Sequence, residues 1–79
     1  MRIISEDRRI DVPYESYTIC IEDGCIIAQR SPTDYGYKLA EPDTLKQAEA
    51  AMDLIRESYQ REAKVIYMDY IIEEVREEC

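Results

Sequence analysis

The amino-acid sequence predicts an α+β fold, a small antiparallel β-meander of three to five strands packed on one or two C-terminal α-helices. Three observations carry that expectation. Apolar and polar side chains alternate in period two through much of residues 1–40. Asp23-Gly24 provides a tight-turn signal between two such runs. Beyond Pro42 the chain has neither glycine nor proline, and its apolar groups recur at steps of three and four. At 79 residues the chain is read as one domain, 1–79, with a sheet over 1–40, a helix over 43–62 and a second helix or helix continuation over 64–78.

Arg2-Ile3-Ile4-Ser5 is a short strand signal, Glu6-Asp7-Arg8 a turn, and Arg9-Ile10-Asp11-Val12 a run that can return antiparallel. Pro13 has no N–H to give a ladder, so it predicts a bend or an edge position. From Tyr14 the alternation resumes, with Tyr17, Ile19 and Ile21 on one face and Ser16, Thr18 and Cys20 on the other. A type I′ turn at Asp23-Gly24 pairs Glu22 with Cys25, Ile21 with Ile26, Cys20 with Ile27 and Ile19 with Ala28. Both faces of that hairpin are then apolar, so one should lie on the helix while the other needs a further cover such as a second subunit. Cys20 and Cys25 fall diagonally and read as small hydrophobes rather than a bridged pair. Ser31–Gly36 is a loop by composition, and Tyr37-Lys38-Leu39-Ala40 adds a last short strand.

The stretch from Thr44 to Tyr59 places Leu45, Ala48, Met52, Ile55 and Tyr59 on one helical stripe. Thr44 and Gln47 have capping-box spacing, Pro42 blocks an earlier start, and Asp43 puts negative charge near the helix N-terminus. Gln60-Arg61-Glu62 interrupts the stripe. Val65, Met68, Ile72, Val75 and Cys79 then start a new one, although the β-branched and aromatic run Val65–Ile72 keeps a strand open as the alternative.

A chain this short buries only about 60% of its unfolded surface, and one core supplies roughly 3–5 kcal/mol, so self-association is expected. Three cysteines, an odd count without CxxC spacing, argue against a disulfide framework and a thiolate zinc site. The net charge of −8 is uneven: residues 1–40 carry seven acids and five bases, residues 41–79 eleven acids and five bases. That argues against a DNA or RNA duplex or an anionic membrane as partner of the C-terminal half, and permits an acidic helical face to occupy a basic groove, the plainer alternative being a solvated surface that keeps a small protein soluble. No leader precedes the first strand and no apolar run reaches about 18 residues, so a soluble, intracellular, cytoplasmic chain is expected.

Histidine is absent, which removes Ser-His-Asp, Cys-His and HExxH chemistry, and Gly24 and Gly36 are the only glycines, too few for a phosphate loop. No catalytic residues, metal ligands or cofactor are therefore assigned. Glu73/Glu77 and Glu74/Glu78 are carboxylates at i,i+4 spacing on the outer helix face, read as solvated charge. A binding role fits better. Arg8, Arg9, Arg30 and Lys38 cluster around the sheet and its loops, with Tyr14, Tyr17, Tyr35 and Tyr37 close by in sequence. Guanidinium forks grip phosphate, and tyrosine offers a π-face and a hydroxyl. Arg8, Arg9, Arg30 and Lys38 are the phosphate candidates, Tyr35 and Tyr37 the base-stacking pair, and Arg56 a helix residue that reaches the pocket or pairs with Asp53 or Glu57.

The opening MRIISEDRRIDVPYE and the stretch TLKQAEAAMDLIRESY together resemble a family of small phage and prophage proteins from Firmicutes. Arg2, Ile3, Ser5, Asp7, Asp11, Val12, Pro13, Tyr14 and Glu15 match the first block of its pattern, and Thr44, Ala48, Ala51, Met52, Arg56 and Tyr59 the second. Asp7-Arg8 stands where the family has Asp-Gly, Ile55 where leucine is common, and everything after Tyr59 is outside the resemblance. In setting, size and layout, though in no ligand-contact motif, the chain is also similar to the Thoeris anti-defence sponges. These are small phage oligomers that sequester nucleotide immune signals. The resemblance implies a non-enzymatic anti-defence protein of the infected bacterial cytoplasm. It would form a homo-oligomer and withhold a nucleotide second messenger from a host effector, in pockets between protomers. The rival expectations are an acidic, anti-CRISPR-like inhibitor of a host defence protein, and a structural phage protein with no ligand.

Overall fold

A computed structural model describes residues 1–31 and 33–78; Pro32 and Cys79, read above as loop and helix-stripe residues, lie outside the described residues. The elements run β1 (Arg2–Ile4), β2 (Asp11–Pro13), a 3-10 turn (Tyr14–Ser16), β3 (Thr18–Glu22), β4 (Cys25–Gln29), β5 (Tyr37–Ala40), α1 (Leu45–Gln60), β6 (Val65–Tyr67) and α2 (Met68–Glu78). The fold is α+β, and its strands divide into two three-stranded sheets, β2-β1-β6 and β3-β4-β5.

The first sheet begins as predicted, with β1 and β2 antiparallel and Pro13 at the edge opposite Arg2. Side chains build the connecting turn: the Ser5 hydroxyl donates to Asp7 Oδ1 (2.6 Å) and accepts from the Ile10 N–H, while the Arg9 N–H donates to Asp7 Oδ1. Arg8 sits at φ 63°, the left-handed conformation that suits glycine and costs a side chain about 1–2 kcal/mol. The third strand is β6, parallel to β1, with Ile3 beside Ile66. Residues 64–78 thus realise both readings in succession, a three-residue strand and then a helix. Met68, Ile72 and Val75 keep the helical stripe and are buried, whereas Val65, on the strand, is exposed.

The second sheet contains the predicted hairpin in the predicted register, Glu22 opposite Cys25 through Ile19 opposite Ala28. Asp23 and Gly24 both have positive φ, as a type I′ turn requires. Ile26 and Ala28 face the core and are fully buried; Cys20, Cys25 and Ile27 on the opposite face are half-buried. Between Ile26 and Ile27 the pairing with β5 shifts register. Gly36 enters that strand at φ 76°, and a Cβ there would lie 2.7 Å from the Ala28 carbonyl oxygen and from Ile27 and Gln29 side-chain carbons. Gly36→Ala is therefore expected to destabilise by about 1–3 kcal/mol in a urea melt, whereas Gly24→Ala, with open space around it, should show only the milder backbone cost.

Helix α1 starts at the predicted cap: the Gln47 N–H donates to Thr44 Oγ1 (3.1 Å), and the Gln47 amide oxygen reaches back to the Asp43 N–H (3.0 Å). Its buried face is Gln47, Ala48, Ala51 and Ile55, rotated from the predicted stripe; Leu45 and Tyr59 are exposed. Alanines on that face let α1 approach α2 and the sheet closely. The helix ends in a Schellman motif, Ala63 N–H to the Ser58 carbonyl and Glu62 N–H to the Tyr59 carbonyl, with Glu62 at φ 62° where glycine is usual. Glu62→Gly should raise stability by about 1 kcal/mol, read as a higher urea midpoint at unchanged slope. The core joins both sheets to both helices, with Ile3, Ile26, Leu39, Ile55, Met68 and Ile72 at its centre.

Candidate functional site

Because β3 is an edge strand and α1 crosses the inner face beside it, a groove runs between them. Its first part, about 360 Å³, is lined by Tyr14, Glu15, Tyr17, Ile19, Met52, Ile55, Arg56 and Tyr59. A second depression of about 320 Å³ continues it past Ile21, Glu49, Met52, Asp53 and Arg56.

Each lining group is placed by local structure. Pro13 ends β2 and turns the chain into the 3-10 turn, which brings Tyr14 against Tyr59 from the last turn of α1, ring centroids 4.7 Å apart and tilted 39°. Period two along β3 puts Tyr17, Ile19 and Ile21 on the groove side. The Tyr37 ring centroid lies 6.3 Å from that of Tyr17, the planes tilted 57°, and the Arg30 guanidinium lies 5.4 Å from the Tyr17 centroid, a cation–π distance. Arg56 reaches the groove from α1 while donating to Asp53 (3.0 Å). The N-terminal amine, 2.6 Å from Glu15, neutralises the one carboxylate of the first part and holds it below the usual carboxylate range.

Of the predicted ligand-binding residues, Arg56 alone lines this groove; Arg30 and Tyr37 sit against the Tyr17 ring without lining it, and the other four lie elsewhere. Arg8 lies against β6 and α2, donating to Asp69 Oδ2 at 2.9 and 3.1 Å with its guanidinium 4.7 Å from the Tyr67 and 5.4 Å from the Tyr70 ring centroid. The Arg9 side chain is exposed beside the Ser5–Asp7 turn. Tyr35, 98% exposed, projects from its loop. Lys38 lines a different cleft, about 550 Å³, with Glu6, Asp7, Glu41, Asp43 and Arg76, and donates to Glu41. Both cations of that cleft are already paired, Lys38 with Glu41 and Arg76 with Asp43, and it has no aromatic ring in its lining. Tyr14, Tyr17 and Tyr59 line the groove although the sequence singles out Tyr35 and Tyr37 for stacking: Tyr59 falls on the predicted core stripe, and nothing local reveals that residues 14 and 59 meet.

The groove is lined by three aromatic rings, Tyr14, Tyr17 and Tyr59, and one guanidinium group, Arg56, and its lining has no nucleophile paired with a base. It can stack a flat ring and bind an anion. Among the described residues no cluster of three or more carboxylate or thiol side chains is arranged to hold a metal ion, and no helix is long and apolar enough to cross a membrane. Comparison with protein-family models, curated proteins and solved structures finds no match.

Acid should loosen the turns flanking these surfaces. Asp7 is held below the usual carboxylate range first by the Ser5 hydroxyl and then by the Arg9 N–H, and Glu15 by the N-terminal amine. A carboxyl whose folded pKa is depressed adds stability that is complete above its unfolded pKa and disappears as pH falls through the folded value. Stability should therefore be level above the ordinary carboxylate range and fall from there down through the depressed folded values. The double variant Asp7→Asn/Glu15→Gln should give a flatter urea-midpoint profile with pH.

Proposed function

We propose that the protein is a non-enzymatic binding protein that sequesters a nucleotide, with base or ring stacking at Tyr14, Tyr17 and Tyr59 and phosphate contact at Arg56. Arg30 and Tyr37 contact the Tyr17 ring and help to fix its position. The observation that supports this most is the convergence, in one groove, of rings from the 3-10 turn (Tyr14), the residue just before β3 (Tyr17) and α1 (Tyr59) with the Arg56 guanidinium. The resemblance to phage and prophage proteins supplies the setting, in which withholding a host nucleotide signal is the use for such a groove. Tyr14, Arg56 and Tyr59 all fall inside the two resembling blocks.

A thermal-shift panel of cyclic dinucleotides, cyclic ADP-ribose isomers, NAD and short oligonucleotides tests the reading. At a hundredfold excess over Kd, binding adds about 2.7 kcal/mol, roughly 10–20 °C for a domain of this size. The bound compound should be released intact on heating. A panel in which no nucleotide raises Tm overturns the proposal.

One observation favours a second reading. Glu73, Glu74 and Glu77 are exposed on α2, and among the described residues none forms an ion pair. A protein-binding inhibitor using that face would ignore nucleotides, and its target affinity would fall with added salt and with Glu73→Lys/Glu74→Lys/Glu77→Lys.

A further inference from the structure

The two sheets present four edges among the described residues, and three are guarded against pairing with another chain. β2 has three residues and ends in Pro13. β6 also has three, preceded by Lys64. β5 contains Lys38, lies beside a register shift, and its Leu39 carbonyl already accepts the Glu6 N–H at 2.7 Å. Short length, proline, lysine, irregular pairing and cover are the devices that keep sheet edges from joining. β3 has none of these: five residues, Thr18-Ile19-Cys20-Ile21-Glu22, form an unbroken ladder with β4 on one side.

The register states which backbone groups lie open. Glu22 and Cys25 flank a two-residue turn, so that pair exchanges both hydrogen bonds, and alternation turns the N–H and C=O of Thr18, Cys20 and Glu22 toward β4. Those of Ile19 and Ile21 point away from the sheet. The same two side chains, with Met52, are half-buried along the groove.

From this edge we infer that β3 pairs antiparallel with β3 of a second copy of this chain, about a twofold axis through Cys20, to make one six-stranded sheet. Centred there, Ile19 of each copy exchanges hydrogen bonds with Ile21 of the other, and Thr18 falls opposite Glu22. Centring on Ile21 would set Asp23 against Ile19; centring on Ile19 would set Glu22 against Ser16 in the 3-10 turn. Charge is also self-complementary: the Glu22–Asp23 corner of one copy arrives at Tyr17 and Arg30 of the other, an acid pair against the cation stacked on that ring. The second copy covers the Ile21 end of the groove and walls the Tyr17 end, leaving the mouth at Tyr14 and Tyr59 open. The pairing stands or falls independently of any ligand.

The Cys20 residues of the two copies become a non-hydrogen-bonded pair with Cα atoms about 4.5 Å apart, within disulfide reach. The test is mild oxidation of a Cys25→Ser/Cys79→Ser variant, which retains Cys20 alone, beside a Cys20→Ser/Cys79→Ser variant and a solution mass for the unmodified chain. The expected result is twice the chain mass, rapid covalent dimer from the Cys20-only protein, and little from the Cys25-only protein. A single-chain mass at every concentration overturns the inference. A doubled mass with Cys20 that does not cross-link, or cross-links no faster than Cys25, overturns it equally, because the interface then lies elsewhere.

Discussion

Ile3→Ala should destabilise the protein by about 2–5 kcal/mol. Ile3 is fully buried in the central strand of the first sheet, and its cross-strand neighbours Val12 and Ile66 are buried too. Truncation removes the middle of that row, where the paired backbones on both sides prevent collapse into the cavity. With roughly 3–5 kcal/mol available from one small core, the variant is expected to be substantially unfolded at physiological temperature by circular dichroism. Leu45→Ala, on the exposed start of α1, should change the urea midpoint by no more than about 0.5 kcal/mol in equivalent stability. Comparable losses at the two positions would contradict the packing described.

Tyr17→Ala should weaken nucleotide binding by roughly 5- to 150-fold, the equivalent of about 1–3 kcal/mol for one stacked base. Tyr17 lines the first part of the groove with Met52 and Arg56, and its ring is contacted by Tyr37 and the Arg30 guanidinium. Tyr17→Phe keeps the π-face and should retain most of the affinity, which separates stacking from a hydroxyl contact. Tyr35→Ala, at a fully solvated loop position, should leave affinity unchanged. Equal losses from Tyr17→Ala and Tyr35→Ala by calorimetry would remove the groove from the account.

The particular elements show what was legible in the sequence. The Asp23-Gly24 hairpin could be read residue by residue because a two-residue turn leaves one register. The α1 cap was equally readable, from Thr44 and Gln47. The buried face of α1 was not, since its centre is Ala48 and Ala51 and a small residue gives a weak periodic signal beside Leu45 or Tyr59. β6 was obscured because three residues are too few to establish a period, and a parallel partner 63 positions away in register (Ile3 beside Ile66) leaves no local trace. The site divided in the same way. Arg30, Tyr37 and Arg56 could be chosen by residue type, but the Tyr14–Tyr59 contact depends on how the 3-10 turn meets the end of α1, a tertiary fact. Arg8 looked like a phosphate ligand only because Asp69 and its two tyrosines are distant in sequence.

The most direct test of the proposal that this groove binds a nucleotide is a backbone amide chemical-shift titration of the ¹⁵N-labelled protein with the nucleotide that most raises Tm. Saturable shifts concentrated at residues 14–19 and 52–60 are expected. Shifts confined to residues 38–43 or 65–70, or none at saturating nucleotide, would contradict the proposal.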